Sequence, residues 1–402
     1  MGLLTGTGWR KRRPLQVLLR SGFFTGCMLF LLSACSDITA PIQVQETRIP
    51  TPAPAEIPTS ISDVEPTNQP VDTSEVEYKL ALFHEDSVQI HSLDGVQTDS
   101  WEITGQISDQ RYHFQVVGEK VYYLDQELQT VVVVNEIGTY PLQYTSDPNL
   151  VGFLVSEDES KIVWVLKSGS SNYELWMASV SGTNQRRLAI PEPASSASVK
   201  LQLEPYQFTN SAGLVYTWQY ATSSSVRPFD SYSSFYLFDL AENTTRALIS
   251  LSGFEEAPCW DELSADLEFV AGVCGSTPLQ SRMRVRMIGS EEEEIIPALE
   301  NQVQVGAAAF SPDHTQLAFS VVRGSALAGT GRLVLQSFPG RYPLVLMELE
   351  DSWFDHLEWM GGGLIAVQAY HFRGPVVYLV STAGDVQQVG EGLLLGILRE
   401  ER

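Results

Sequence analysis

Two nine-residue stretches, Ser156-Glu157-Asp158-Glu159-Ser160-Lys161-Ile162-Val163-Trp164 and Ser311-Pro312-Asp313-His314-Thr315-Gln316-Leu317-Ala318-Phe319, align without gaps. Each reads as a tight turn built on Ser and Asp, which close turns through their own side chains. Each turn runs into a short apolar strand. Working outward, the strand signature recurs at Leu80, Val121, Ile162, Leu214, Leu267, Leu317 and Ile365, with spacings of 41, 41, 52, 53, 50 and 48 residues. A second strand ending at a polar turn follows each anchor, as in 174–180 before Gly182 and 333–337 before Gly340. A third, shorter run comes next, such as Arg187-Leu188-Ala189 or Leu344-Val345-Leu346. No long 3.6-residue period interrupts the pattern from Tyr78 onward.

Four-stranded units at this period mean an all-β propeller, because one small sheet cannot bury both faces alone and must pack against copies around an axis. Seven blades are expected, with six or eight as the alternatives. The first unit lacks an inner strand before its anchor, and the run Leu393-Leu394-Leu395-Gly396-Ile397-Leu398 has no unit of its own. It is expected to pair with the first blade and close the ring. The Ser-Pro-Asp turn and Glu174-Leu175-Trp176-Met177-Ala178-Ser179-Val180-Ser181-Gly182 resemble the repeats of TolB-like propellers, which also occur in prolyl-oligopeptidase-type enzymes. The match is good in the third and sixth units. Asn210 stands at the Asp position in the fourth, and Leu263 in the fifth. This resemblance implies fold and leaves function open. A sialidase-type Asp-box fits less well, since Val163 and Ala318 occupy its aromatic position.

The N-terminus reads as an address. Arg10 to Arg13 are basic, and Ser21 to Leu32 form a short apolar stretch. About a dozen residues suit the core of an export signal and fall short of the roughly 20 that span a bilayer. Leu32-Ser33-Ala34-Cys35 resembles the lipobox of bacterial lipoproteins. That resemblance implies cleavage between Ala34 and Cys35, lipid on the Cys35 thiol, and acylation of the new terminus in many bacteria. An ordinary secretory signal, an anchor helix, and a poorly matched twin-arginine signal at Arg12-Arg13 are the alternatives. Residues 36–76 then hold seven prolines among Thr, Ser, Glu and Gln, with no aromatic residue. Such a stretch buries too little to fold. Extended at about 3.1 Å per residue, it reaches on the order of 120 Å. The expected organisation is a signal peptide at 1–34, a lipidated cysteine and linker at 35–76, and a propeller at 77–402.

The chain carries 49 acidic residues against 25 Lys and Arg, a formal net charge of −24. Losing the five basic residues ahead of Cys35 would leave 20 against 49, or −29. Such a surface repels phosphate backbones, so nucleic acid is an unsuitable partner. No nucleophile elbow, His-Glu-x-x-His pair or phosphate-cradling glycine loop occurs, so no catalytic residue, metal ligand or cofactor is assigned.

Cys259 and Cys274 remain once Cys27 and Cys35 are accounted for. An exported chain meets oxidising surroundings, which favours a disulfide. A hairpin turning near Ser264 would instead put Cys259 opposite position 269 and leave two thiols. Arg282, Arg284 and Arg286 share a strand face ahead of Glu291-Glu292-Glu293-Glu294, a pattern that suits a solvated edge with cross-strand pairs. The loops between second and third strands are long in the fourth, fifth and sixth units. Trp218, Tyr220, Arg227, Phe229 and Tyr232, with Tyr370, His371 and Arg373 of the seventh unit, are the candidate binding rim. Tyr, Trp and Arg are enriched at interface hot spots. The alternative is that these loops only cover the axis. The leading expectation is a lipid-tethered propeller, without catalysis, that binds an envelope or extracellular protein or peptide or serves as a scaffold. A carbohydrate or small-ligand site, or a hydrolase with axial carboxylates, is second.

Overall fold

A computed structural model describes residues 76–107, 113–169, 172–191, 201–209, 212–220, 229, 232–249, 260–273, 282–290, 292–300, 302–324, 329–338, 340 and 342–401. The expected signal peptide, Ala34, Cys35 and the linker lie outside the described residues, as do Asn210, Arg227, Cys259 and Cys274. Among the described residues, no helix is long and apolar enough to cross a membrane.

The chain is all-β, with seven four-stranded antiparallel blades in a propeller. Blades 2 to 7 span 114–141, 150–188, 201–249, 260–295, 302–350 and 352–391. Blade 1 takes three strands from 76–102 and its innermost from Leu393–Glu401. That last strand pairs antiparallel with Val76–His84, with Leu80 opposite Ile397. The ring therefore closes as the sequence requires. The strand that holds the anchor, or in the fifth blade follows it, lies second in its blade. A single pair, Tyr232 opposite Trp260, also joins blades 4 and 5 into one continuous sheet.

The packing explains the blade count. One cluster of buried apolar side chains fills each blade interface, including the seam where Leu394 and Ile397 meet Val377 and Leu379 of blade 7. Apolar burial is worth roughly 25 cal/mol per Å². Among the described residues, every blade thus packs against a neighbour on both faces.

The repeat turn is a small hydrogen-bonded device. Ser156 Oγ donates to Asp158 Oδ1 at 2.6 Å and accepts from the Lys161 N–H at 2.9 Å. Glu159 takes a φ of 51°, a left-handed conformation that only the closed turn makes tolerable for a residue with a Cβ. Ser311 and Asp313 repeat the arrangement, with His314 at 55°. The fifth blade corrects the sequence register. Ser264 and Asp266 make the same bonds and Leu267 sits at φ 64° within the turn, so the strand begins at Phe269. Asp266, and not Leu263, is the turn aspartate. The hairpin is wider than a turn at Ser264 allows, and Trp260 pairs with Gly272.

Antiparallel pairing fixes the two faces of the disc. First and third strands of each blade start on one face, second and fourth on the other. The repeat turns therefore share one face with Val76, where the chain enters the propeller. The second-to-third loops and the links between blades share the other.

Candidate functional site

An axial cavity of about 540 Å³ is lined by the innermost strand of every blade. A strand at the inner edge of a blade has one side without a neighbour, and edges are where bulges occur. Six of the seven inner strands have a register shift. The residues at five of these irregularities, including Val151, Tyr206, Ala307, Asp355 and Leu395, line the cavity. The bulge thus re-aims a side chain toward the axis. The free edge also accommodates Pro205, which has no N–H to donate.

The lining is acidic. Glu204 comes from blade 4, Glu262 from blade 5, and Asp355 and Glu358 from blade 7, and among the described residues no Lys or Arg lines the cavity. Glu262 and Glu358 each precede the start of their blade's turn, at Ser264 and Met360, by two residues; Glu204 and Asp355 each lie five before theirs, at Thr209 and Met360. The carboxylates thus form an outer pair nearer the long-loop face and an inner pair nearer the turns. Several are held by neutral donors. Tyr206 Oη donates to Glu262 Oε2 at 2.9 Å and accepts from the Leu263 N–H at 3.2 Å, bridging blades 4 and 5. Burial, with the Glu262 charge adding to it, pushes the Tyr206 phenol well above its ordinary value, so it stays a donor. Gln368 Nε2 donates to Asp355 Oδ1 at 2.9 Å, while its Oε1 accepts from the Leu394 N–H of the closing strand at 2.6 Å. His356 Nε2 stands 3.8 Å from Glu358 Oε2.

The long-loop end is narrowed by aromatic rings. Phe229, from the loop between the second and third strands of blade 4, lines the cavity and seats against Gly306 of blade 6. A methyl group at Gly306 would overlap that ring. Small residues follow at Ala307 and Ala308, so blade 6 yields the space that blade 4 fills. Tyr232 also lines the cavity, with its ring centroid 5.4 Å from that of Tyr206.

The candidate rim is therefore only partly assembled. Phe229 and Tyr232 both line the axial cavity. Trp218 is not on the rim: it is 3% exposed and packs edge-on against Tyr173, 5.8 Å away, between blades 3 and 4. Its position on the second strand turns it to the neighbouring blade instead of the axis. Tyr220 is described only as backbone, opposite Leu201. Tyr370 stacks on Trp353 at 5.3 Å, and His371 Nε2 lies 3.5 Å from Tyr378 Oη, both on blade 7. Arg373 is exposed in the adjoining turn. The expected solvated edge of blade 5 has Arg284 Nη1 paired with Glu293 Oε2 at 3.1 Å. Among the described residues, no three His, Cys, Asp or Glu converge as metal ligands.

No protein-family model matches the chain, and no curated protein matches it significantly. Solved structures do. Oligogalacturonate lyase from Vibrio parahaemolyticus is similar at 10% identity with a TM-score of 0.51, covering 79% of this chain and 85% of that one. A puromycin-hydrolysing peptidase from Mycobacterium tuberculosis is similar at 13% and 0.50, covering 79% and 53%. TolB from Acinetobacter baumannii is similar at 17% and 0.42, covering 68% and 63%. The chain spans less than two thirds of the peptidase and of TolB. The similar structures thus include TolB-like propellers alongside peptidase and lyase propellers, and the likeness establishes the propeller fold.

Proposed function

We propose that the chain is an exported lipoprotein, cut between Ala34 and Cys35 and held to a membrane by lipid on Cys35. Its propeller binds an envelope or extracellular protein at the axial mouth and performs no chemistry of its own. The observation that carries the binding is the cavity: seven inner strands, six of them irregular, converge on a polar space with an aromatic entrance. Concave sites with a few placed polar groups are where proteins take ligands. Val76, the first described residue of the propeller, lies on the turn face, and the loop that carries Phe229 lies on the other.

Removal of 221–234 is an unsuitable test, because Tyr232–Asp239 is a strand of blade 4 and the Ser234 carbonyl accepts the Thr217 hydroxyl at 2.6 Å. A photo-cross-linking residue at Phe229 is suitable. In intact cells it should give a discrete protein adduct, and the same residue at exposed Ile137 should not. Adducts from both positions, or from neither, would contradict the reading. Anchoring is tested by a palmitate analogue, which should label wild type and leave Cys35→Ala unlabelled. The second reading, a carbohydrate or small-ligand site with chemistry, is favoured by the Tyr206–Glu262 pair, a buried phenol against a carboxylate. It predicts turnover of an oligosaccharide that Glu262→Gln abolishes.

A further inference from the structure

We propose that the left-handed residue of the repeat turn is a clasp: its side chain holds the blade before it, with a chemistry matched to that neighbour. The clasp stands apart from the axial cavity and from what binds there.

The turn between first and second strands has a left-handed residue in blades 2 to 7: Gly118, Glu159, Ala212, Leu267, His314 and Gly362. Glycine takes this conformation freely, whereas a Cβ crowds the following carbonyl oxygen. In blades 3, 5 and 6 the turn is closed by the Ser hydroxyl and the Asp carboxylate, which need no side chain on the residue that follows. A side chain kept in a strained position marks a second task.

In these three blades that side chain meets the preceding blade. Glu159 of blade 3 pairs with Lys120 of blade 2, and its Oε2 accepts from Tyr122 Oη at 3.3 Å. Gly118 leaves room for it, since a Cβ there would stand 2.9 Å from Glu159 Oε1. Leu267 of blade 5 packs on the apolar cluster that Val215, Phe235 and Ile249 of blade 4 share with Leu263 and Val270. His314 of blade 6 puts Nδ1 2.8 Å from Asp266 Oδ2 of blade 5. Asp266 divides its carboxylate. Oδ1 closes its own turn, accepting from Ser264 Oγ and the Glu268 N–H, and Oδ2 faces the neighbour. Two consecutive residues, Asp266 and Leu267, thus tie blade 5 to blades 6 and 4. The three clasps are not interchangeable. A carboxylate suits Lys120, but the same group at position 314 would face the like charge of Asp266.

The test is the thermal melt of the full chain in mild detergent at pH 7.5. Glu159→Gly, Leu267→Gly and His314→Gly each relieve the backbone, yet each should lower the melting temperature by about 2 °C or more. Ala212→Gly, at an exposed position, relieves the backbone alone and should not lower it. A rise in all four would mean that the turn by itself sets the residue, and would overturn the proposal. In an Asp266→Asn background, His314→Gly should lose at least half of its effect. An equal loss in both backgrounds would show that His314 does not act through blade 5, and would also overturn it. His314→Glu, which carries the blade 3 residue to blade 6, should melt below His314→Gly. A melt at or above that of His314→Gly would refute the matching of clasp to neighbour.

Discussion

The two faces of the disc are built by opposite rules. On the turn face, three blades repeat one device almost atom for atom. The Ser Oγ to Asp Oδ1 distances are 2.6, 2.7 and 2.7 Å, and the residue after each aspartate sits at φ 51°, 64° and 55°. On the long-loop face the connections differ in length, and Phe229 from one of them seats against Gly306 of a blade two places away. Repetition serves stability, because every blade needs the same hairpin. Departure from repetition serves recognition, because a ring of identical blades has no unique site. Changes on the turn face should therefore cost stability and spare binding, and changes at the long-loop entrance should do the reverse.

The largest effect tests where Trp218 belongs. As a core residue between blades 3 and 4, its replacement in Trp218→Ala should cost about 3–5 kcal/mol in urea unfolding. Binding by the folded fraction should be preserved. Loss of binding at unchanged stability would return Trp218 to the entrance and break the comparison.

Next is the bond proposed for Cys259 and Cys274. The register that puts Trp260 opposite Gly272 is shifted from the one expected, and the two cysteines adjoin Trp260 and Val273 in sequence. A disulfide closing a loop of this length contributes on the order of 3 kcal/mol. Reductant should lower the melting temperature of wild type and leave Cys259→Ser with Cys274→Ser unmoved. Two free thiols per chain in unreduced protein would refute the bond.

Ser311→Ala should cost about 1–3 kcal/mol, since the Gln316 N–H and the Asp313 carboxylate lose a shared partner. Affinity for the partner should not change. Phe229→Ala should cost under about 1 kcal/mol, because the ring is only half-buried at the cavity mouth, yet it should alter affinity severalfold. The smallest effect is acid sensitivity. Hydrogen bonds from Ser156 and Ser160 hold the Asp158 carboxyl at about 2, below its ordinary 3.8. A lowered folded pKa means a contribution present above pH 3.8 and lost as the pH falls toward 2. Asp158→Asn should flatten that part of the stability profile; an unchanged profile would remove the turn from the account.

The same contrast explains what was legible in the sequence. Propeller class, seven blades and the closing strand at Leu393 follow from repeat spacing and local turn chemistry, which depend on neighbours in the chain. The fifth blade misled because Leu267 is apolar, like a strand residue, and occupies a left-handed turn position. The cavity was not legible. Glu204 and Glu358 stand between apolar residues, as on any strand with one wet face, while Glu262 follows Asp261 and Asp355 precedes His356, as in any polar stretch. Only the bulges of the inner strands, and closure of the ring by strands far apart in sequence, turn that face toward a shared axis. Trp218 misled for the complementary reason, since a large aromatic near a long loop reads alike at a binding rim and between blades.

The most direct test of the central claim is a photo-cross-linking residue at Phe229 in intact cells, with the same residue at exposed Ile137 as its control. The account predicts a discrete protein adduct from position 229 and none from position 137. Adducts from both positions, or from neither, would contradict it.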